Sequence, residues 1–196
     1  LLNAISYKTG VVTFHGPGGN STWNDYSMKT IEGLIQNGDT VYFEAPDPSL
    51  LLDSPETIVS GMAKGKLYGG NLSVLSGLIG SDYLPDWENK ILFLEDVMEE
   101  PYRVDRMLTH LKLNGVFDKL SGIILGQFRG CQPEEPDRSF TLKEVFQQQF
   151  SELPIPVFYG APIGHVLNKQ TVPVGMTITM NADDFSMRME QPAVIN

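Results

Sequence analysis

The chain has 196 residues, and its 24 acidic and 14 basic side chains give a formal net charge of −10 at pH 7. Hydrophobic residues make up 41% of the sequence and charged residues 19%, which is the composition of a folded globular protein and not of a disordered one. A pI near 4.6 argues against a partner that is a nucleic acid or an anionic membrane, because both require a basic surface. No apolar run is long enough for a membrane helix, and the single cysteine, Cys131, has no internal disulfide partner.

Helices and strands are predicted to alternate along most of the chain. Leu1, Leu2 and Ile5 are spaced like one face of a helix that ends at Gly10, so we expect the sequence to begin inside a domain. Predicted strands are 11–14, 41–43, 65–68, 90–97, 121–128, 155–159, 172–180 and 185–189; predicted helices are 24–36, 72–79, one that begins at Pro101, and 141–153.

The connections between these elements are predicted from glycine, proline and asparagine. Asn37 and Gly38 should close the second helix, the glycine pair at 69–70 with Asn71 should form a turn, and the proline-containing stretch 45–55 should be a loop or a sheet edge. Because strands follow one another only near the end of the chain, the sequence predicts an α/β fold with a mixed sheet.

Two adjacent carboxylates end the most clearly predicted strand. The preceding residues 91–94 are all apolar, which indicates a strand buried on both faces. Glu95 and Asp96 should then point to opposite sides of the sheet and serve different purposes. Ligand sites in α/β folds occur at such strand ends. The alternative is a structural pair held by Arg103 or Arg106.

The three histidines are candidates of unequal interest. His110 falls on the predicted helix after Pro101 and is expected to be a half-exposed surface residue. His15 ends a strand and is either functional or a residue that holds the following turn. His165 lies in a loop with glycines on both sides, which free the backbone to aim a side chain; the alternative is a turn-stabilising histidine. None of these spacings is that of zinc ligands.

A nucleophile is harder to find than a base. The sequence has no GxSxG elbow, Cys131 is surrounded by acids, which disfavours a thiolate, and neither Ser73 nor Ser76 has an evident base. The N–H groups after Asn71 offer a place for a carboxylate or an oxyanion, but the motifs of phosphate-binding loops are absent. A carboxylate and a histidine without a nucleophile make two thirds of a catalytic triad.

Several longer motifs together resemble one enzyme family. In chain order, HGP after a strand, YGGNLSVLSGLIGS, ILFLEDVMEEPYRVDRMLTHL, GIILGQF and GAPIGHVLNKQTVPVG resemble the LD-carboxypeptidase family of serine peptidases. This family includes muramoyltetrapeptide carboxypeptidases and microcin C self-immunity peptidases. The resemblance implies that residues 1–40 are the tail of a flavodoxin-like N-terminal domain and a linker. Residues 41–196 would form the C-terminal α/β domain, with the active site between the two.

The resemblance also implies roles for individual residues. The catalytic set would be Ser-His-Glu, with His165 as the base and Glu95 as its orienting acid, and with the serine on an elbow that no residue of this chain matches. Gly70 and Asn71 would line the substrate cleft, and Asp96 would anchor the structure. The chain alone would then be inactive.

The implied substrate is a peptide that ends in a D-amino acid, typically the murein tetrapeptide, cleaved at its L,D bond to release D-alanine. Neither metal nor cofactor is implied. The resemblance further implies a cytoplasmic enzyme of cell-wall recycling and a possible homodimer.

Two other functions remain open at this point. A self-immunity peptidase would act on a peptidyl-aminoacyl adenylate and would need an aromatic residue to stack on the base; Trp23 and Trp87 are the only tryptophans, and the sequence places neither in the cleft. A noncatalytic binding domain of the same fold is the second alternative.

Overall fold

The computed structural model describes residues 1–36 and 51–194, together with the backbone of residues 42–43. In these ranges the α-helices are α1 Leu2–Thr9, α2 Asp25–Ile35, α3 Leu72–Ser76, α4 Pro101–Leu113 and α5 Leu142–Phe150, and two short 3₁₀ turns cover Phe117–Lys119 and Pro136–Arg138. The strands are β1 Thr13–His15, β2 Tyr42–Phe43, β3 Glu56–Val59, β4 Met62–Asn71, β5 Lys90–Val97, β6 Gly122–Arg129, β7 Val157–Tyr159, β8 Val172–Val174, β9 Thr177–Asn181 and β10 Ser186–Met189.

Eight of the described strands form one mixed sheet in the order β2-β10-β9-β4-β5-β6-β7-β3. Strands β4 to β7 are parallel, whereas β9 runs antiparallel to β4, β10 to β9, and β3 to β7. The central strands are buried on both faces, as parallel strands are: residues 91–94 of β5 and 123–125 of β6 have no exposed surface. The predicted mixed α/β architecture is confirmed.

Helix α4 covers the sheet in the way its apolar spacing predicts. Val104, Met107, Leu108 and Leu111 form its buried stripe, and Pro101 occupies the first helical turn, where its missing N–H has no intrahelical partner to lose. The core therefore lies between this helix layer and the apolar strands, and the carboxyl end of β5 emerges beside the start of α4.

Three predicted boundaries are wrong. The stretch Gly69–Asn71 is not a turn but the end of β4, because parallel pairing continues to Asn71 opposite Glu95 and supplies the backbone with partners. The helix that follows is shorter than predicted and ends at Ser76. The predicted strand 172–180 is two strands, β8 and β9, interrupted at Gly175, whose φ of 94° is accessible mainly to glycine.

The first 36 residues pack directly onto the rest of the chain. Strand β1 pairs antiparallel with β8, with Thr13 opposite Val174 and His15 opposite Val172. The Asn3 side chain bonds both backbone groups of Gly69, at 2.7 Å to its carbonyl and 2.9 Å from its N–H. The predicted turn at Asn37–Gly38, most of the predicted loop 45–55 and the domain boundary after residue 40 lie outside the described residues. No helix in the described ranges has the length and apolarity to cross a bilayer.

Candidate active site

Glu95 and His165 meet at the carboxyl end of β5. His165 Nδ1 lies 2.8 Å from Glu95 Oε2; the carboxylate is fully buried, whereas half of the histidine side chain (51%) is exposed. An ionised carboxylate only accepts hydrogen bonds, so Nδ1 carries the hydrogen and Nε2 is free to accept one. This is the tautomer that a general base requires.

Gly164 makes the close approach of these two residues possible. Its φ is 124°, and a Cβ at this position would lie 2.8 Å from Glu95 Oε2 and 3.0 Å from the Gln127 carbonyl oxygen. Any larger residue would therefore displace the carboxylate or strain the backbone. The glycine before His165 thus sets the distance between the loop and the end of β5.

The loop that carries His165 is attached to the amino-terminal turns of α2. Asn24 Nδ2 donates to the Leu167 carbonyl at 3.2 Å and to Asn168 Oδ1 at 2.7 Å. The backbone N–H of Lys169 donates to Ser27 Oγ at 3.3 Å. The position of the histidine therefore depends on contacts between segments more than 130 residues apart in sequence.

Burial and hydrogen bonding oppose each other at Glu95. Burial raises the pKa of this carboxyl, because it disfavours the charged form, and the hydrogen bond from His165 lowers it. The Asn71 amide also favours the ionised form, but its short hydrogen bond goes to Asp96 Oδ1, at 2.7 Å. Glu95 Oε1 is buried and has no hydrogen-bond partner among the described residues.

A second histidine stands on the other side of the same carboxylate. His15 Nε2 lies 3.9 Å from Glu95 Oε1. Burial first, and then the positive charges of His165 and Lys169, lower the pKa of His15 to about 4. The ring is therefore neutral at neutral pH, and its contact with Glu95 is not an ion pair.

Asp96 lies on the opposite face of β5 and has a structural role. Its Oδ1 accepts from Asn71 Nδ2 at 2.7 Å, and its Oδ2 accepts from Ser73, from the backbone N–H at 3.0 Å and from Oγ at 2.8 Å. These bonds fix the junction of β4 and α3. The ion pair of Arg103 is with Glu99, at 3.7 Å, so the alternative in which Arg103 holds the two acids of β5 finds no support.

Gly70 and Asn71 lie beside the Glu95 and His15 side chains. Gly70 leaves space next to the His15 ring, whereas the Asn71 side chain makes hydrogen bonds. A Cβ on Gly70 would stand 3.8 Å from His15 Nδ1, and Gly70, Asn71 and His15 all line a cavity of about 160 Å³ next to α1. The Asn71 side chain caps α3 by accepting from the Val74 N–H at 3.0 Å while it donates to Asp96. Its carbonyl oxygen and one of its two amide hydrogens are thus engaged in structural bonds.

The remaining candidates lie away from this site. His110 is exposed on α4, and its Nδ1 is 3.3 Å from Ser76 Oγ, a contact that the sequence did not reveal because it joins two helices. Cys131 is buried, and burial raises the pKa of its thiol to about 11, so it stays protonated. Within the described ranges, no group of three or more histidine, cysteine or acidic side chains is arranged to hold a metal ion.

The mixed-sheet domain that carries Glu95 and His165 falls within a known domain family. Residues 64–180, which include both side chains, match the family model described as the LD-carboxypeptidase C-terminal domain. The chain therefore belongs to the LD-carboxypeptidase family.

Its relatives include a murein peptidase and a microcin immunity protein. The chain is 35% identical over 186 residues to the probable murein peptide carboxypeptidase of Bacillus subtilis, covering 92% of this chain and 56% of that protein. It is 30% identical over 212 residues to the microcin C7 self-immunity protein MccF of Escherichia coli, covering 94% of this chain and 60% of that protein. The chain thus spans little more than half the length of these relatives.

Solved structures of both kinds share the fold. MccF in complex with aspartyl sulfamoyl adenosine aligns with a TM-score of 0.83 at 25% identity, covering 99% of this chain and 65% of that one. The muramoyltetrapeptide carboxypeptidase from Oxalobacter formigenes aligns with a TM-score of 0.78 at 26% identity, covering 97% and 66%.

Proposed function

We propose that this chain supplies the base and the orienting acid of a serine-type LD-carboxypeptidase. The observation that carries the proposal is the 2.8 Å contact between His165 Nδ1 and the buried Glu95 Oε2. His165 Nε2 would take the proton of a serine hydroxyl as it attacks the scissile carbonyl, and Glu95 would stabilise the resulting imidazolium. The serine would come from a part of the protein outside this sequence, so the chain alone would be inactive.

The substrate that we propose is a murein tetrapeptide, cleaved at its L,D bond with release of D-alanine. Support comes from the Bacillus subtilis relative, named as a probable murein peptide carboxypeptidase, and from the structural similarity to a muramoyltetrapeptide carboxypeptidase. The enzyme would work in the cytoplasm in cell-wall recycling. No residue of the proposed mechanism needs a metal or a cofactor, because base, acid and serine suffice for acyl transfer.

The first test measures D-alanine release from a murein tetrapeptide by the complete natural polypeptide that contains this sequence. We expect His165→Ala to lower kcat by on the order of a millionfold and Glu95→Gln by about ten thousandfold, as in serine proteases. Glutamine keeps the volume but presents its amide where His165 needs an acceptor. The exposed His110→Ala is the matched control and should keep kcat unchanged. Equal activity of all three variants would exclude the proposed pair.

A second candidate substrate, a peptidyl-aminoacyl adenylate, is favoured by one observation. Trp23 is 44% exposed and precedes Asn24, whose side chain is bonded to the His165 loop. Trp87 is only 5% exposed, in the core, and is therefore not available for stacking. Trp23 is thus an exposed indole one residue away in sequence from a contact with the His165 loop, and an exposed aromatic ring is what stacking on an adenine requires.

The binding of aspartyl sulfamoyl adenosine to the complete polypeptide separates the two substrates. If the adenylate is the substrate, Trp23→Ala should weaken binding by roughly tenfold or more, since stacking on an aromatic side chain contributes about 1–3 kcal/mol. If the tetrapeptide is the substrate, the analogue should bind poorly and Trp23→Ala should leave D-alanine release unchanged. A folded protein that hydrolyses neither compound but binds the tetrapeptide would be a noncatalytic binding domain.

The domain organisation is part of the same proposal. Residues 1–40 would continue a flavodoxin-like domain and residues 41–196 would form the C-terminal domain, with a homodimer as the assembled state. Sedimentation of the complete polypeptide would test the dimer, and a monomer at micromolar concentration would contradict it.

A further inference from the structure

The orientation of the His15 ring is fixed by its surroundings. The residue ends β1 opposite Val172 of β8, and its ring meets that of Phe93 edge to face, with centroids 5.3 Å apart at an interplanar angle of 67°. Gly70 borders the ring at Nδ1, since a Cβ there would be 3.8 Å from this atom. Only 21% of the side chain is exposed. Packing of this kind directs Nε2 toward the carboxylate of Glu95.

The group that faces His15 lacks a hydrogen-bond partner. Glu95 Oε1 is buried and unbonded among the described residues, and a buried charged oxygen without a donor destabilises the ionised form. The two nearby side-chain donors are Asn71 and His15. Asn71 gives one of its two amide hydrogens to Asp96, and its influence on Glu95 is smaller than that of His165. His15 Nε2 stands 3.9 Å from Oε1, a separation that a modest movement would close.

We propose that His15 is a positioning residue that donates its Nε2 hydrogen to Glu95 Oε1, so that two imidazoles hold the two oxygens of one carboxylate. This inference rests on the proposed function. The separation has to shorten by about 1 Å to reach hydrogen-bond distance. His165 then holds Oε2 and His15 holds Oε1, and the carboxylate cannot rotate away from the base.

A neutral donor suits this position better than a charged one. A cation at His15 would stand near His165 and Lys169, both of which disfavour it, as the depressed pKa of His15 reflects. It would also neutralise Glu95 and so reduce the stabilisation that the acid gives to the His165 imidazolium. An uncharged N–H satisfies the oxygen and leaves the full negative charge directed at His165.

Kinetics of the complete polypeptide on its peptide substrate form one arm of the test. His15→Leu removes the donor while keeping apolar volume, and we expect kcat to fall roughly 10- to 100-fold with little change in KM, the usual effect of losing a group that orients a catalytic residue. His15→Gln can place an amide N–H near the position of Nε2, so it should recover most of the lost kcat. His110→Leu is the surface control. If His15→Leu keeps full kcat, or if the glutamine variant is as slow as the leucine variant, the proposal is wrong.

Nitrogen-15 NMR of histidine-labelled complete polypeptide is the second arm and needs no activity. The His15 resonances are those missing from the His15→Gln spectrum. We expect its hydrogen to sit on Nε2 at pH 7 and to exchange with water more slowly than that of the exposed His110. A hydrogen on Nδ1, or exchange as fast as at His110, would overturn the proposal. If the protein hydrolyses neither peptide nor adenylate, the proposed function fails, and this arm alone decides the placement of His15.

Discussion

At the scale of single residues, the separation between loop and strand depends on Gly164. A methyl group there would stand 2.8 Å from Glu95 Oε2, and the φ of 124° is strained for any other residue. We expect Gly164→Ala to lower the free energy of unfolding by about 1–3 kcal/mol and to lower kcat, because the carboxylate is pushed out of line with His165.

Urea unfolding and D-alanine release measure these two effects. Gly19→Ala is the matched control, since a Cβ at Gly19 meets nothing within 4 Å and its φ lies outside the left-handed region. A Gly164→Ala protein with unchanged stability and kcat would show that the loop can move aside.

His15 also predicts how stability depends on pH. Its folded pKa of about 4 lies below the ordinary value of 6.5, so the unfolded chain binds a proton first as the pH falls. The contribution of neutral His15 to the free energy of unfolding is complete above pH 6.5 and is lost between pH 6.5 and pH 4. From pH 7 to pH 4.5 this amounts to about 2–3 kcal/mol at most. The raised pKa of Glu95 acts in the opposite direction over its own titration range.

The His15→Gln variant isolates the contribution of His15. Its free energy of unfolding should fall less than that of the parent when the pH is lowered over this range, as measured by urea titration at pH 7, 5.5 and 4.5. Parallel pH curves for the two proteins would contradict a depressed pKa at His15.

At the scale of secondary-structure elements, α1 and β8 are in contact at a position where only glycine fits. A Cβ on Gly175 would lie 2.1 Å from Ser6 Oγ, and that hydroxyl donates to the Val174 carbonyl at 3.1 Å. We expect Gly175→Ala to cost about 1–3 kcal/mol. In the Ser6→Ala background the same change should cost less, because the hydroxyl that it strikes is gone.

A double-mutant cycle in urea gives this coupling directly. Additive effects of the two substitutions would indicate that the lower free energy of unfolding comes from the backbone conformation at Gly175 and not from the contact with α1.

Elements whose pattern is local were predictable from the sequence, and elements defined by a distant partner were not. Four consecutive apolar residues predict strand β5, and the apolar stripe after Pro101 predicts α4. The interruption at Gly175 was missed because the alternating apolar pattern of 172–180 continues across it; the glycine itself, with a φ of 94°, is the local sign of the break. By contrast, nothing local indicates that the glycines at 69–70 continue a strand, since their partner β5 follows about 20 residues later.

The candidate site was predictable to the same extent. Glu95 and His165 stood out by their position at a strand end and in a glycine-flanked loop, and by the resemblance to a family. The place of His15 was left open because β1 meets β8 across more than 150 residues of sequence. The contact of Asn71 with Asp96 was missed for the same reason, since it requires the register of two parallel strands.

At the scale of the whole molecule, the first residues are an integral part of the fold. Removal of residues 1–15 deletes α1 and β1, with the two Asn3 bonds to Gly69 and the pairing of β1 with β8. At about 1 kcal/mol for each buried hydrogen bond, we expect Tm to fall by roughly 10 °C in a protein of this size.

Removal of residues 191–196 is the control, because the described residues 191–194 lie outside any helix or strand. Scanning calorimetry of the two truncated chains gives the comparison. Equal Tm values would mean that α1 and β1 are only loosely attached.

The two neighbouring acids of β5 have separate partners, and this separation affects how related proteins could diverge in evolution. Glu95 faces two histidines, whereas Asp96 holds Asn71 and Ser73 on the other side of the strand. Under the function proposed above, a single-nucleotide change of the Glu95 codon to glutamine would end the reaction and leave intact the hydrogen bonds of Asp96 that hold the start of α3. On that proposal, a noncatalytic binding domain for the same ligand would be one mutational step from the enzyme, and the reverse step would be equally short.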